Sequence, residues 1–184
     1  MRIRQIGDPI LREVSIALSP EQISSSETRA LVERMQNILN GIKAISNENG
    51  NALSAPQVGS LVRLILLRID GEFRVMINPE YRPSSERTFM FEEECFSLYD
   101  QRASLKRWFE IDVEYFDSDG KKQELSCRGE LAGLIQHEVD HLNGVLFIDR
   151  AEKEGAQLSS IDTLLNDQPD RLEQVKTMID YMRG

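Results

Sequence analysis

Histidine is almost missing from this chain: two residues in 184. Cysteine is equally scarce, with Cys95 and Cys127 the only two, too few for a disulfide framework. In a reducing compartment such a thiol is a small buried apolar group, a nucleophile or a metal ligand. Positive charge is also short. Lys and Arg number 22 against 31 Asp and Glu, and the formal net charge is −9. That balance argues against sequence-independent nucleic-acid binding, which needs clustered cations to displace phosphate counterions. It argues equally against adhesion to an anionic membrane. No apolar run approaches the ~18 residues of a transmembrane helix. The start, MRIRQIGDPI, carries Asp8 and Pro9 where a signal peptide needs an apolar stretch, so a cytoplasmic protein is expected. The 184 residues are expected to form a single domain, with a core large enough to need no covalent staples.

The apolar spacing organises the rest. Leu31, Val32, Met35, Ile38, Leu39, Ile42 and Ile45 recur at helical intervals and predict a helix over about 27–46. Ser24 and Glu27 have the spacing of a capping box before it. NENGNALSAPQVGS reads as a loop. Four strand-like runs follow: VRLILLRI, FRVMINPE, RTFMFEEE and RWFEIDVEYFD. The last alternates, with Phe109, Ile111, Val113 and Tyr115 on one side. A turn over 117–120 joins it to KKQELSC as an antiparallel hairpin. GELAGLIQHEVDHLNG then changes to helical period, and Gly144 marks its stop. A final amphipathic helix is predicted over about 168–182, its apolar stripe packing back on the domain or on another copy. The order of elements indicates an α+β fold with mainly antiparallel sheets, an N-terminal helix and a C-terminal helix.

Both histidines fall within QHEVDH, as His137 and His141 with Glu138 between them. Residues four apart on a helix lie one above the other, so two imidazoles can aim at one cation. Glu138 lies ~100° round the helix from His137. A Lewis-acidic cation makes water a nucleophile near neutral pH, and an adjacent carboxylate can carry its proton to a leaving amine. The competing reading is a solvated helix face with a chance His-Glu-x-x-His. A catalytic site usually takes three protein ligands, and no third histidine exists. Cys95, ending a strand-like run, is the natural candidate beside a two-histidine site; Cys127 is read as structural.

Three segments, GNALSAPQVG (50–59), EECFS (93–97) and QHEVDH (136–141), resemble in order and spacing the signature motifs of the peptide deformylases. IRQIGDPILREVS, VMINPE and HLNGVLFIDR extend the resemblance over most of residues 2–150. It implies antiparallel sheets around a central helix that bears the histidines. It also implies hydrolysis of the N-formyl group from formylmethionyl nascent polypeptides. Cys95, His137 and His141 would hold one metal ion, Fe²⁺ in the cell, with Zn²⁺, Ni²⁺ or Co²⁺ able to substitute. Glu138 would be the general base and acid. The Gln57 amide and the backbone N–H of Phe96 would stabilise the oxyanion. Arg102 corresponds to an arginine beside the metal pocket, the alternative being a surface arginine. Glu93 corresponds to the motif glutamate, either orienting a neighbour or merely belonging to the acidic run 92–94. Gly50 and Gly59 suit a loop that approaches a substrate backbone.

Several positions depart from the family pattern. Ala52 stands for a Gly, Ser54 for an Ala, Glu94 for a Gly and Phe96 for a Leu. Glu94 adds bulk and charge where substrate backbone should run. Glu130 and Leu134 share the histidine face of the helix. Glu130 either splays to solvent or makes the substrate pocket polar, which predicts a weakened preference for methionine or another acyl-amide substrate. Gly133, unfavourable in mid-helix by ~1 kcal/mol, leaves room for a substrate side chain or a packed strand. The expected substrates are N-formylated nascent peptides, which places the enzyme near the ribosome without direct nucleic-acid binding. Two other readings stand beside this one: a zinc endopeptidase, suggested by His-Glu-x-x-His alone, and a deformylase-like protein with altered or lost activity.

Overall fold

A computed structural model describes residues 2–184. After a short 3-10 turn, the chain forms α1 (Pro20–Ile23) and the long α2 (Ser26–Ile45). The strands β1 (Ala52–Ser54), β2 (Leu64–Ile69), β3 (Glu72–Pro83), β4 (Thr88–Cys95), β5 (Leu98–Trp108), β6 (Glu110–Phe116) and β7 (Lys122–Arg128) follow. The chain ends with α3 (Glu130–Leu142), α4 (Phe147–Glu154), β8 (Ser159–Ser160), α5 (Ile161–Leu164) and α6 (Pro169–Arg183). One sheet has the order β1-β2-β3-β6-β7 and the other β4-β5-β8. Every pairing within them is antiparallel. The expected α+β architecture is therefore present.

Local chemistry sets several boundaries. The long helix is capped by Ser25, whose hydroxyl accepts from Thr28 N–H, and not by Ser24. The reciprocal capping box lies earlier, between Ser19 and Gln22. The segment read as a loop over 47–60 holds β1 and a 3-10 turn, Ala55–Val58, because Ala52–Ser54 pairs with Leu67–Ile65. β5 lies in a polar segment, LYDQRASLKRW, that carries no strong alternation, and it is specified by its pairing with β4. The hairpin of β6 and β7 forms as expected, with Ile111, Val113 and Tyr115 buried on one face.

The larger sheet is covered on both sides, which explains why LILL in β2 is uniformly apolar. Leu64 and Leu66 face a cluster with Met35, Leu39 and Ile42 of α2. Ile65 and Leu67 face a second cluster with Ile135, Val139 and Leu142 of α3. Each such side chain removed from water stabilises the fold by about 1.5–3 kcal/mol. The apolar stripe of α6 packs against α2 through Val175, Met178 and Met182. Gly41 of α2 admits the Tyr181 ring; a Cβ there would overlap it.

Ten of the thirteen residues of α3 are buried. Two polar side chains anchor it. Gln136 exchanges hydrogen bonds with the Trp108 backbone, accepting from N at 3.0 Å and donating to O at 2.9 Å. Asp140 accepts from Arg107 and Arg150. Gly133 makes room for a packed strand: a Cβ there would lie 2.8 Å from the Phe91 ring of β4. The helix stops where Gly144 turns into the left-handed region at φ 70°.

Candidate metal centre and active site

Strand period brings the first part of the site together. Glu93 and Cys95 are two apart in β4, so their side chains share the buried face while Glu94 points outward. Cys95 closes a tight turn, pairing with Leu98. Helical period supplies the rest, presenting His137 and His141 from α3 with ring centroids 5.0 Å apart. One ligand atom from each of Cys95, His137 and His141 lies within 4.8 Å of the others, and all three residues are buried. Nε2 of His141 is 3.2 Å from Cys95 Sγ.

The surroundings fit a cation. Nδ1–H of His137 donates to Glu93 at 2.7 Å, which leaves Nε2 as the free ligand atom. Glu93 is held by a bidentate pair with buried Arg107, and Arg107 bridges on to Asp140 at 2.7 Å. Burial pushes the Glu93 carboxyl up, but His137 and Arg107 outweigh it and bring it to about 2. Burial likewise raises the Cys95 thiol, yet the neighbouring His141 and His137 rings carry it well below the ordinary thiol range. Burial favours a neutral His137, and the Cys95 and Glu93 charges reverse that preference. The pocket thus concentrates negative charge around paired imidazoles, a donor set that would suit a divalent cation.

Glu138 is fully enclosed. Burial raises its carboxyl, against the pull of the two histidines and Ser54. Its Oε2 and Nδ1 of His141 have no hydrogen-bond partner among the described residues. Gln57 approaches from the 3-10 turn. Its Nε2 lies 3.2 Å from Ser97 Oγ and 3.6 Å from Cys95 Sγ.

A cavity of about 100 Å³ joins these groups. Gln57, Cys95, Phe96, His137 and Glu138 line it, with Gly50, Ala52, Glu94 and Leu134. A larger groove of about 880 Å³ opens beside it, sharing Glu94, Leu134 and His137 and adding Phe91, Leu131 and Glu130. Glu130 is exposed there, so it belongs to the rim and leaves the apolar lining to Phe91, Leu131 and Leu134. Arg102 does not line the small cavity. It pairs with Glu94 at 2.7 Å and stacks over Tyr99, so the unusual Glu94 is neutralised at the groove edge. Gly50 is required by the fold as much as by any ligand: a Cβ would lie 2.6 Å from the Leu39 carbonyl oxygen.

A family model described as polypeptide deformylase matches residues 1–157. The chain belongs to the peptide deformylase family. A peptide deformylase of Rhizobium meliloti is 39% identical over 153 residues, covering 80% of this chain and 83% of that protein. One from Treponema pallidum is 33% identical, covering 83% and 89%. Among solved structures, the peptide deformylase of Synechococcus elongatus in complex with actinonin superposes with a TM-score of 0.72 at 33% identity, covering 80% of this chain and 76% of that one. A plant peptide deformylase, at 28% identity and a TM-score of 0.70, covers 96% of this chain and 87% of its own. Peptide deformylases are metal-dependent hydrolases, and the buried Cys-His-His group is compatible with that chemistry.

Sequence reasoning missed Arg107, Gln136 and Asp140. Arg107 was legible only as a strand residue. Its signal was the need of a buried Glu93 for a counter-charge, which depends on knowing that Glu93 is buried.

Proposed function

We propose that this protein removes the N-formyl group from nascent polypeptides that begin with formylmethionine, using one divalent metal ion. Cys95, His137 and His141 hold the ion. The observation that carries this reading is the convergence of those three ligand atoms within 4.8 Å beside an enclosed Glu138. Fe²⁺ is the ion expected in the cell, and Zn²⁺, Ni²⁺ or Co²⁺ suit the same donors. The cation supplies Lewis acidity, which makes water a nucleophile at neutral pH.

The chain's own residues do the rest. Glu138 accepts the proton of the attacking water and later delivers it to the leaving amine, a task favoured by its raised carboxyl. Negative charge grows on the formyl oxygen as the carbonyl carbon becomes tetrahedral. Gln57 and Phe96 both line the small cavity, and the Gln57 amide and the Phe96 backbone N–H stabilise that charge. The products are formate and a free amino terminus. The first side chain of the substrate enters the groove lined by Phe91, Leu131 and Leu134, whose apolar walls suit methionine. The exposed Glu130 at the rim allows some polar first residues as well. Such substrates place the enzyme in the cytoplasm, close to the ribosome. Among the described residues no helix is long and apolar enough to cross a membrane.

The test is formate release from a formyl-methionyl dipeptide, with metal content measured on the same sample. Expected are one divalent ion per chain and rapid turnover. Metal-loaded protein that releases no formate, or that cleaves an unformylated protein instead, would refute the assignment.

A further inference from the structure

Ser54 stands where the sequence departs from the usual alanine, and it is fully buried beside Gln57. Its backbone N–H donates to Gln57 Oε1 at 3.0 Å, and its hydroxyl lies 3.0 Å from the same oxygen. A backbone N–H can only donate, so the Gln57 atom facing it must be the carbonyl oxygen. The orientation of the amide follows: its NH₂ is turned toward Cys95 and Ser97. With both donors on one oxygen, rotation of the amide would break two hydrogen bonds and set NH₂ against N–H. An alanine at 54 would keep the backbone bond and lose the hydroxyl.

We propose that Ser54 is a positioning residue for deformylation, clamping Gln57 Oε1 with its hydroxyl and N–H so that the Gln57 NH₂ is held ready for the oxyanion. The inference rests on the deformylase reading above. Ser54 also pulls on the Glu138 carboxyl, and the double-mutant cycle separates that contact from its hold on Gln57. Preorganised donors stabilise developing charge best when they need not reorient during reaction, so looseness at Gln57 lowers turnover more than substrate affinity.

The test is a double-mutant cycle with a formyl-methionyl dipeptide on metal-loaded protein. Ser54→Ala is expected to lower kcat by about tenfold, with KM within about twofold, because the donor is loosened but not removed. Gln57→Ala removes the donor and is expected to lower kcat about a hundredfold or more. The double variant should match Gln57→Ala alone if the hydroxyl works through the amide, whereas an effect carried through Glu138 would multiply with the Gln57 loss. Metal content and thermal midpoint are read in parallel and should stay near wild type in Ser54→Ala. Ser54→Cys, a weaker donor, should fall between, and it carries the cycle if Ser54→Ala does not fold. Wild-type kcat in Ser54→Ala, multiplying losses in the double variant, or a loss explained by missing metal each overturn the role. An active wild type with an unaffected Ser54→Ala sinks only this role. An inert wild type sinks the deformylase reading and the role together.

Discussion

Glu93 and His137 are joined by a 2.7 Å hydrogen bond between two side chains that reach each other from a strand and a helix. The carboxylate also carries both hydrogen bonds of the Arg107 fork. One buried glutamate therefore aims a proposed ligand and compensates a buried cation. Glu93→Ala is expected to weaken metal retention by about 10–100-fold, since such outer partners orient the ligating ring. It should also cost about 3–5 kcal/mol, because buried Arg107 loses its bidentate partner and keeps only Asp140, which it shares with Arg150. Metal titration and urea unfolding, the latter in chelator so that metal loss does not contribute, check the two effects separately.

Removal of a proposed ligand and removal of the proposed base should look different. Cys95→Ser or His137→Ala should abolish metal retention. Glu138→Gln should keep the ion and slow turnover by about 10²–10⁴-fold. Elemental analysis beside formate release distinguishes them, and normal turnover in Glu138→Gln would remove Glu138 from its role.

Gly133→Ala provides a test of packing in which the sign reverses with context. In an isolated helix the change stabilises by about 1 kcal/mol. Here the new Cβ would lie 2.8 Å from the Phe91 ring, and overpacking of this kind costs about 1–3 kcal/mol. A lower urea midpoint is expected for the single variant, and a raised one when Phe91→Ala is already present.

Cys127 should be a poor nucleophile. Burial, with Asp112 adding to it, raises its thiol to about 11. A raised value means the protonated, unreactive form persists as pH climbs, and thiolate appears only near pH 11. Alkylation of Cys127 by iodoacetamide should be slow at pH 8 and accelerate through pH 10, as followed by peptide mass spectrometry. Rapid modification at pH 8 would contradict this environment.

The sequence by itself determined the elements whose signal is periodic. The helices around Met35 and His137 and the hairpin around Val113 were legible, because each buries a face repeating at 3.6 or 2 residues. The His137–His141 spacing is the same kind of information, whereas the shared burial of Glu93 and Cys95 emerged only with the packing of β4. Tertiary structure alone decided what periodicity does not encode. β5 exists because β4 offers it a ladder, and β1 exists because β2 does; neither has an apolar pattern that requires a strand. The meeting of Cys95 with His141, the burial of Arg107 between Glu93 and Asp140, and the pairing of Glu94 with Arg102 all bring together groups from separate elements. Hydrogen bonds and ion pairs act over a few ångströms, and which groups come that close is set by how the sheets and α3 pack.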